Sequence, residues 1–154
     1  MITSEAKILI KQSAESLWPL VGSPLRMVEY HPLFTDSKQL AGGGTATGDR
    51  LRWHFQVKKR TGYYDEEIVQ VVPNKLIQLE NRGGKNIPPF SQAITTIRLE
   101  DNGDQTTTTT FNVQIAFKSR LLQSLLGWQV KRGYRKFLPK ILEALKIYSE
   151  NGTA

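Results

Sequence analysis

The chain has 154 residues, 39% apolar and 23% charged, which suits one soluble domain able to bury on the order of 70% of its unfolded surface. Its net charge of +7 would suit nucleic acid or anionic lipid, but no nucleic-acid motif and no aromatic–basic interleaving accompanies it. It has no cysteine, which excludes disulfides, thiolate zinc sites and thiol catalysis and fits a cytoplasmic location. No run nears the roughly 18 apolar residues of a membrane span, and the charged opening "MITSEAKILIKQ" is not a signal peptide.

In chain order, "AKILIKQ" reads as a strand. Ser13, with Glu15 and Ser16 behind it, then caps a helix over "SAESLWPLVGS". Pro19 falls beyond the first turn, so that helix is short or kinked. "RMVEYHPLFTDS" predicts a second short helical turn, interrupted at His31-Pro32. "AGGGTATG" is a loop; it lacks the lysine and following helix of a phosphate-binding loop. "DRLRWHFQVKK" alternates strictly, with Leu51, Trp53, Phe55 and Val57 on one face and Arg52, His54, Gln56 and Lys58 on the other. Lys58-Lys59-Arg60 precedes a turn expected at Thr61-Gly62. "GYYDEEIVQVVP", "KLIQLENR" and "SQAITTIRLED" follow as strands separated by Pro73-Asn74 and "GGKNIPPF". Connections this short favour antiparallel neighbours.

Five consecutive threonines, Thr106 to Thr110, raise the question of a low-complexity linker. Asn102-Gly103 before them suits a tight hairpin turn. After them Phe111, Val113, Ile115 and Phe117 alternate with Asn112, Gln114 and Ala116, and a linker has no reason to alternate. The run is therefore a strand, with Thr107 and Thr109 extending its apolar face. β-propensity accounts for these threonines more simply than a hydroxyl-lined wall does.

From Ser119 the period changes to 3.6. Val130, Tyr134, Phe137, Leu138, Ile141, Leu142 and Leu145 form an apolar stripe, and Arg132, Arg135, Lys136, Lys140 and Glu143 the opposite one. Leu121, Leu122, Leu125 and Trp128 fall off the apolar stripe, which predicts a break near Gly127-Trp128. The segment would then bend over a cavity mouth as a lid, or else meet a membrane surface or second subunit beside its basic neighbours. Pro139 should kink the helix as well.

Groups able to do chemistry are few. His31 and His54 match no metal motif, so no metal or other cofactor is expected. There is no serine nucleophile elbow. Tyr63, Asp65 and Glu67 share one strand face, Tyr64 and Glu66 the other. Were Glu67 inward, its carboxyl in an apolar cup could act as general acid or base. The simpler alternative is a cross-strand salt bridge with Arg52, Arg82 or Arg98.

Strand, two short helices, about six antiparallel strands and one long amphipathic helix make an unusual order. With "SAESLWPLV", "HPLF…LAGGGTATGDRLRW", "YYDEEIVQVVPNKLIQLE" and "LPKILEALKIYSE" in place, the whole chain resembles the START-like (SRPBCC) superfamily, including polyketide cyclase/dehydrase and lipid-transport proteins. The resemblance implies one domain over residues 1–154. It also implies an α+β helix-grip fold, in which a curved antiparallel sheet of six to seven strands wraps the C-terminal helix around a cavity. Such a pocket is the default binding site. Its candidate lining is Trp53, Phe55, Ile97, Phe111 and Val113 from the sheet, with Tyr134 and Phe137 from the helix, though each could equally be ordinary core. Phe90, beside a loop that gates the cavity in relatives, joins them, and Tyr64 and Glu67 are the polar candidates. Two functions follow: binding or transport of a hydrophobic small molecule or lipid, or a cyclase, aromatase or dehydratase reaction in the same cavity. A module docking through the basic helix face is a third.

Overall fold

The computed structural model describes residues 1–151. The domain expected over 1–154 includes residues 152–154, which lie outside the described residues. Strand β1 (Ile2–Ile10) leads into helix α1 (Ala14–Val21) and a short 3-10 helix (Pro24–Glu29). Six strands follow: β2 (Phe34–Ala41), β3 (Arg50–Val57), β4 (Arg60–Val72), β5 (Leu76–Lys85), β6 (Phe90–Asp101) and β7 (Thr107–Phe117). Helix α2 (Arg120–Glu150) closes the chain. All seven strands form one antiparallel sheet in the order β1-β7-β6-β5-β4-β3-β2.

Local chemistry accounts for the element ends. The Ser13 hydroxyl accepts the Ser16 N–H at 3.1 Å, and Asp101 accepts the Ala14 N–H at 2.9 Å, so two orphan donors of α1 are satisfied. Ser119 caps α2 in the same way through the Leu122 N–H. The glycine loop between β2 and β3 closes on Asp49, whose carboxylate accepts the N–H groups of Gly44, Thr45 and Ala46. That loop has a structural role, with Gly42, Gly44 and Gly48 all at positive φ.

Strand β7 has perfect alternation, buried at Thr107, Thr109, Phe111, Val113, Ile115 and Phe117. A sheet with one apolar face needs a cover, and α2 provides it through Leu138, Ile141, Leu142 and Leu145, each at most 3% exposed. Tyr134 and Phe137 pack on the same core but stay half-buried. Helix α2 runs chiefly along β1 and β7. Among the described residues its backbone comes close to β3–β5 far less, although inward Leu51, Trp53, Ile68, Ile77 and Leu79 are fully buried there.

Three expectations need correction. Helix α2 is continuous from Arg120 to Glu150, with no break at Gly127-Trp128 and with Pro139 inside it. Leu121, Leu125 and Trp128 consequently stay on its outer surface at 59–69% exposure, and no bent lid forms. The β3–β4 turn lies at Lys58-Lys59 rather than Thr61-Gly62, because Val57 pairs with Arg60 and Lys58 takes a positive φ. The β6–β7 connection is wider than a tight Asn102-Gly103 turn: Asp101 pairs with Thr107, and both Gly103 and Gln105 take positive φ.

Candidate functional site

The inward face of β3 carries Leu51, Trp53 and Phe55, and register places them opposite Glu66, Tyr64 and Gly62 of β4. Phe34, at the start of β2, stacks on Trp53 with ring centroids 5.7 Å apart and meets Tyr64 edge-on at 5.6 Å. His31 lies flat on Phe34 at 3.7 Å and turns its edge toward Phe137 of α2 at 5.5 Å. A continuous aromatic cluster thus links the helix to the far half of the sheet. His31 is buried and its Nδ1 accepts the Leu33 N–H at 3.2 Å. Burial lowers its pKa to about 3, so the ring is neutral.

Glu66 is the charged residue most deeply placed in this cluster, at 5% exposure. No hydrogen-bond or ion-pair partner meets its carboxyl among the described residues, and desolvation raises its pKa to about 8. Tyr64 and Tyr134 lie near enough to feel its charge. Desolvation first, and then that charge, raises both phenols, Tyr134 to about 12. The indole Nε1 of Trp53 is also fully buried without a partner. A neutral carboxyl, two phenols and an indole N–H are all hydrogen-bond donors, set in apolar surroundings.

Glu67 does not join them. It lies on the outer sheet face, where its carboxylate binds Arg50 at 3.1 Å and Arg82 at 3.3 Å. Those hydrogen bonds hold its pKa below the usual carboxylate value. The cross-strand salt bridge is the actual arrangement, made by Arg50 and Arg82 rather than Arg52 or Arg98. Arg52 instead pairs with Asp65 at 2.7 Å and lies over the Tyr63 ring.

The remaining sequence candidates divide into two groups. Trp53, Ile97, Phe111 and Val113 are at most 5% exposed and belong to the packed core. Phe55, Tyr64, Phe90, Tyr134 and Phe137 are half-buried around it, Phe90 meeting Phe117 edge-on at 5.4 Å. Phe34, His31 and Glu66 were not among the sequence candidates. Tyr64 and Glu66 were read on one face, and counting two further to the apolar Ile68 would have marked that face as the inward one. Two open surface depressions are also present, and only the first reaches the cluster, at Phe55. One, of about 460 Å³, opens between the Thr35–Asp36 edge, His54–Phe55, Thr61–Tyr63 and Lys85–Asn86. The other, of about 430 Å³, lies on the outer face of α2 between Trp128, Lys131, Arg132, Arg135 and Lys136.

A curved seven-stranded antiparallel sheet closed around one long C-terminal helix is a helix-grip fold. The family described as polyketide cyclase / dehydrase and lipid transport matches over residues 1–146, and the chain belongs to that family. A comparison with curated proteins finds no match. Among solved structures, the Zhui aromatase/cyclase from Streptomyces sp. R1128 superposes with a TM-score of 0.78 at 13% identity, over 99% of this chain and 96% of that one. A START superfamily protein from Mycobacterium smegmatis gives 0.77 at 16% identity, covering 97% of both chains. The major latex-like protein 151 of Panax ginseng gives 0.71 at 14%, over 97% of this chain and 99% of that one. Family and fold fit a superfamily that binds hydrophobic ligands or acts on polyketides.

Proposed function

We propose that the chain, as one domain over residues 1–154, binds or carries a hydrophobic small molecule or lipid between α2 and the β3–β5 half of the sheet. Phe55, Phe90, Tyr134 and Phe137 would flank the ligand, with Trp53, Ile97, Phe111 and Val113 as its floor. The observation that carries this reading is Glu66, a carboxyl buried among aromatic rings without a partner. Such a group is costly unless something meets it. A ligand hydroxyl or carbonyl would accept from the neutral acid and from Tyr64 or Tyr134, while the apolar body of the ligand supplies affinity by burial.

The same carboxyl supports a second reading. With a pKa of about 8 it can give and take a proton near neutral pH, as a cyclase, aromatase or dehydratase step requires. Binding ranks first because no second acid–base group pairs with Glu66 in the cluster, His31 being held neutral by burial. Native mass spectrometry of freshly purified protein tests the reading: an apolar molecule should co-purify with wild type and be reduced in Glu66→Gln. Protein that carries nothing, and whose affinity for a hydrophobic fluorescent probe is the same in Phe137→Ala as in the exposed turn variant Lys58→Ala, would refute it. A substrate consumed by wild type and merely bound by Glu66→Gln would favour the enzyme.

A further inference from the structure

Seven of the chain's 21 basic residues lie between Lys118 and Lys140, a stretch that contains no aspartate or glutamate. The remaining fourteen equal the chain's 14 acidic residues in number, so this one segment carries the entire net charge of +7. None of the seven enters an ion pair among the described residues. On the solvent face of the same helix, Leu121, Leu125 and Trp128 are 69%, 59% and 60% exposed. Helical spacing aligns them with Arg132 and Arg135 in one stripe, opposite the inward side chains of Tyr134, Phe137, Leu138 and Ile141. Beside Trp128 the side chains of Lys131, Arg132, Arg135 and Lys136 border the depression of about 430 Å³.

From this we infer that the outer face of α2 docks on an anionic lipid bilayer, Leu121, Leu125 and Trp128 entering the interface while the basic cradle holds phosphate headgroups. Apolar residues among uncompensated cations fit that surface: the tryptophan ring and leucines partition at headgroup depth, and the guanidinium and ammonium groups neutralise lipid phosphates. A second copy of the chain does not fit it. Two such faces brought together would oppose cation to cation with no carboxylate between them. The same helix carries Tyr134 and Phe137 on its inner side, so docking would place the interior site against the lipid from which an apolar ligand could be drawn. The surface itself does not depend on that reading.

Co-sedimentation decides it, using vesicles of phosphatidylcholine alone and of phosphatidylcholine mixed with phosphatidylglycerol. Wild type should pellet with the anionic vesicles only and be released as salt rises. Leu125→Ser/Trp128→Ser and Arg132→Gln/Arg135→Gln should each weaken partitioning about tenfold or more. All four side chains are exposed, so both variants should keep the wild-type circular dichroism and hydrophobic-probe affinity; failure of docking and failure of the interior site are thus read separately. Absence of binding, equal binding to neutral vesicles, or unaltered binding by both variants overturns the inference. So does a lipid-free dimer that Leu125→Ser/Trp128→Ser dissolves, or release by inorganic phosphate beyond that by chloride at equal ionic strength, which would put a soluble anion in the cradle.

Discussion

Gly127 lies against Ile2. A β-carbon built at residue 127 would come within 2.9 Å of the Ile2 Cδ1, so the glycine marks the point where α2 crosses the first strand. It lets the helix approach the strand closely while continuing unbroken through this position. Six residues on, Gly133 faces open space, with nothing within 4 Å of the same construction.

The two glycines should therefore respond differently. Gly133→Ala should stabilise the protein by about 1 kcal/mol, the helix-propensity difference. Gly127→Ala should gain less, since the Ile2 side chain must move aside, and Gly127→Leu should destabilise by about 1–3 kcal/mol through overpacking. Chemical denaturation reads all three. A Gly127→Leu protein as stable as wild type would show that helix and strand are not tightly apposed.

Thr107 and Thr109 offer a second contrast within the five-threonine run. Both are fully buried, but the Thr107 hydroxyl donates to the Gln12 carbonyl at 2.7 Å while the Thr109 hydroxyl has no partner among the described residues. Valine at 107 should cost about 1–2 kcal/mol by orphaning that carbonyl, whereas Thr109→Val should be neutral or stabilising by up to about 1 kcal/mol. Equal shifts in denaturation midpoint would contradict the hydrogen-bond assignment.

These threonines also mark what a sequence discloses. Strands β3 and β7 were legible because one face is buried and the other wet, so the period of two is written in residue type. Strand β2 was not. As an edge strand exposed along most of its length, "FTDSKQLA" has no apolar face to reveal itself. The faces of β4 were read correctly, with Glu67 in its cross-strand salt bridge and Glu66 beside Tyr64, but a carboxylate gives no apolar mark that its face looks inward. The aromatic cluster is beyond periodicity altogether, since His31, Phe34, Trp53, Tyr64 and Phe137 meet only through the sheet's closure on α2. The outward leucines and Trp128 were visible, but the expected bend assumed that exposure must be avoided. The helix instead stays continuous and leaves them in water.

Phe137 tests the interior site. Leu138, at 1% exposure, is ordinary core, and Leu138→Ala should cost about 2–5 kcal/mol. Phe137 is half-buried, in edge contact with His31. Its alanine variant should cost less than the roughly 3–5 kcal/mol typical of a core phenylalanine, yet weaken hydrophobic-probe binding more than Leu138→Ala does. The reverse order in both measurements would make Phe137 a packing residue and remove it from the site.

Glu66 and His31 should give the stability curve two opposed slopes. Below about pH 4.5 the Glu66 carboxyl is protonated in both folded and unfolded chains. Between 4.5 and about 8 the unfolded chain releases its proton while the folded one keeps it, so the folded state binds more protons and stability falls as pH rises. His31 works the other way. Its pKa drops from 6.5 to about 3 on burial, so across that window the unfolded chain binds the extra proton and stability is lost as pH falls. Urea denaturation over a pH series separates the two. Glu66→Gln should match wild type near pH 4 and exceed it at pH 8 by on the order of 4 kcal/mol, the alkaline slope being flattened. His31→Gln should flatten only the acid slope. If Glu66→Gln and wild type instead run parallel from pH 4 to 8, the carboxyl titrates as an exposed one, and neither its burial nor its role as a neutral donor to a ligand stands.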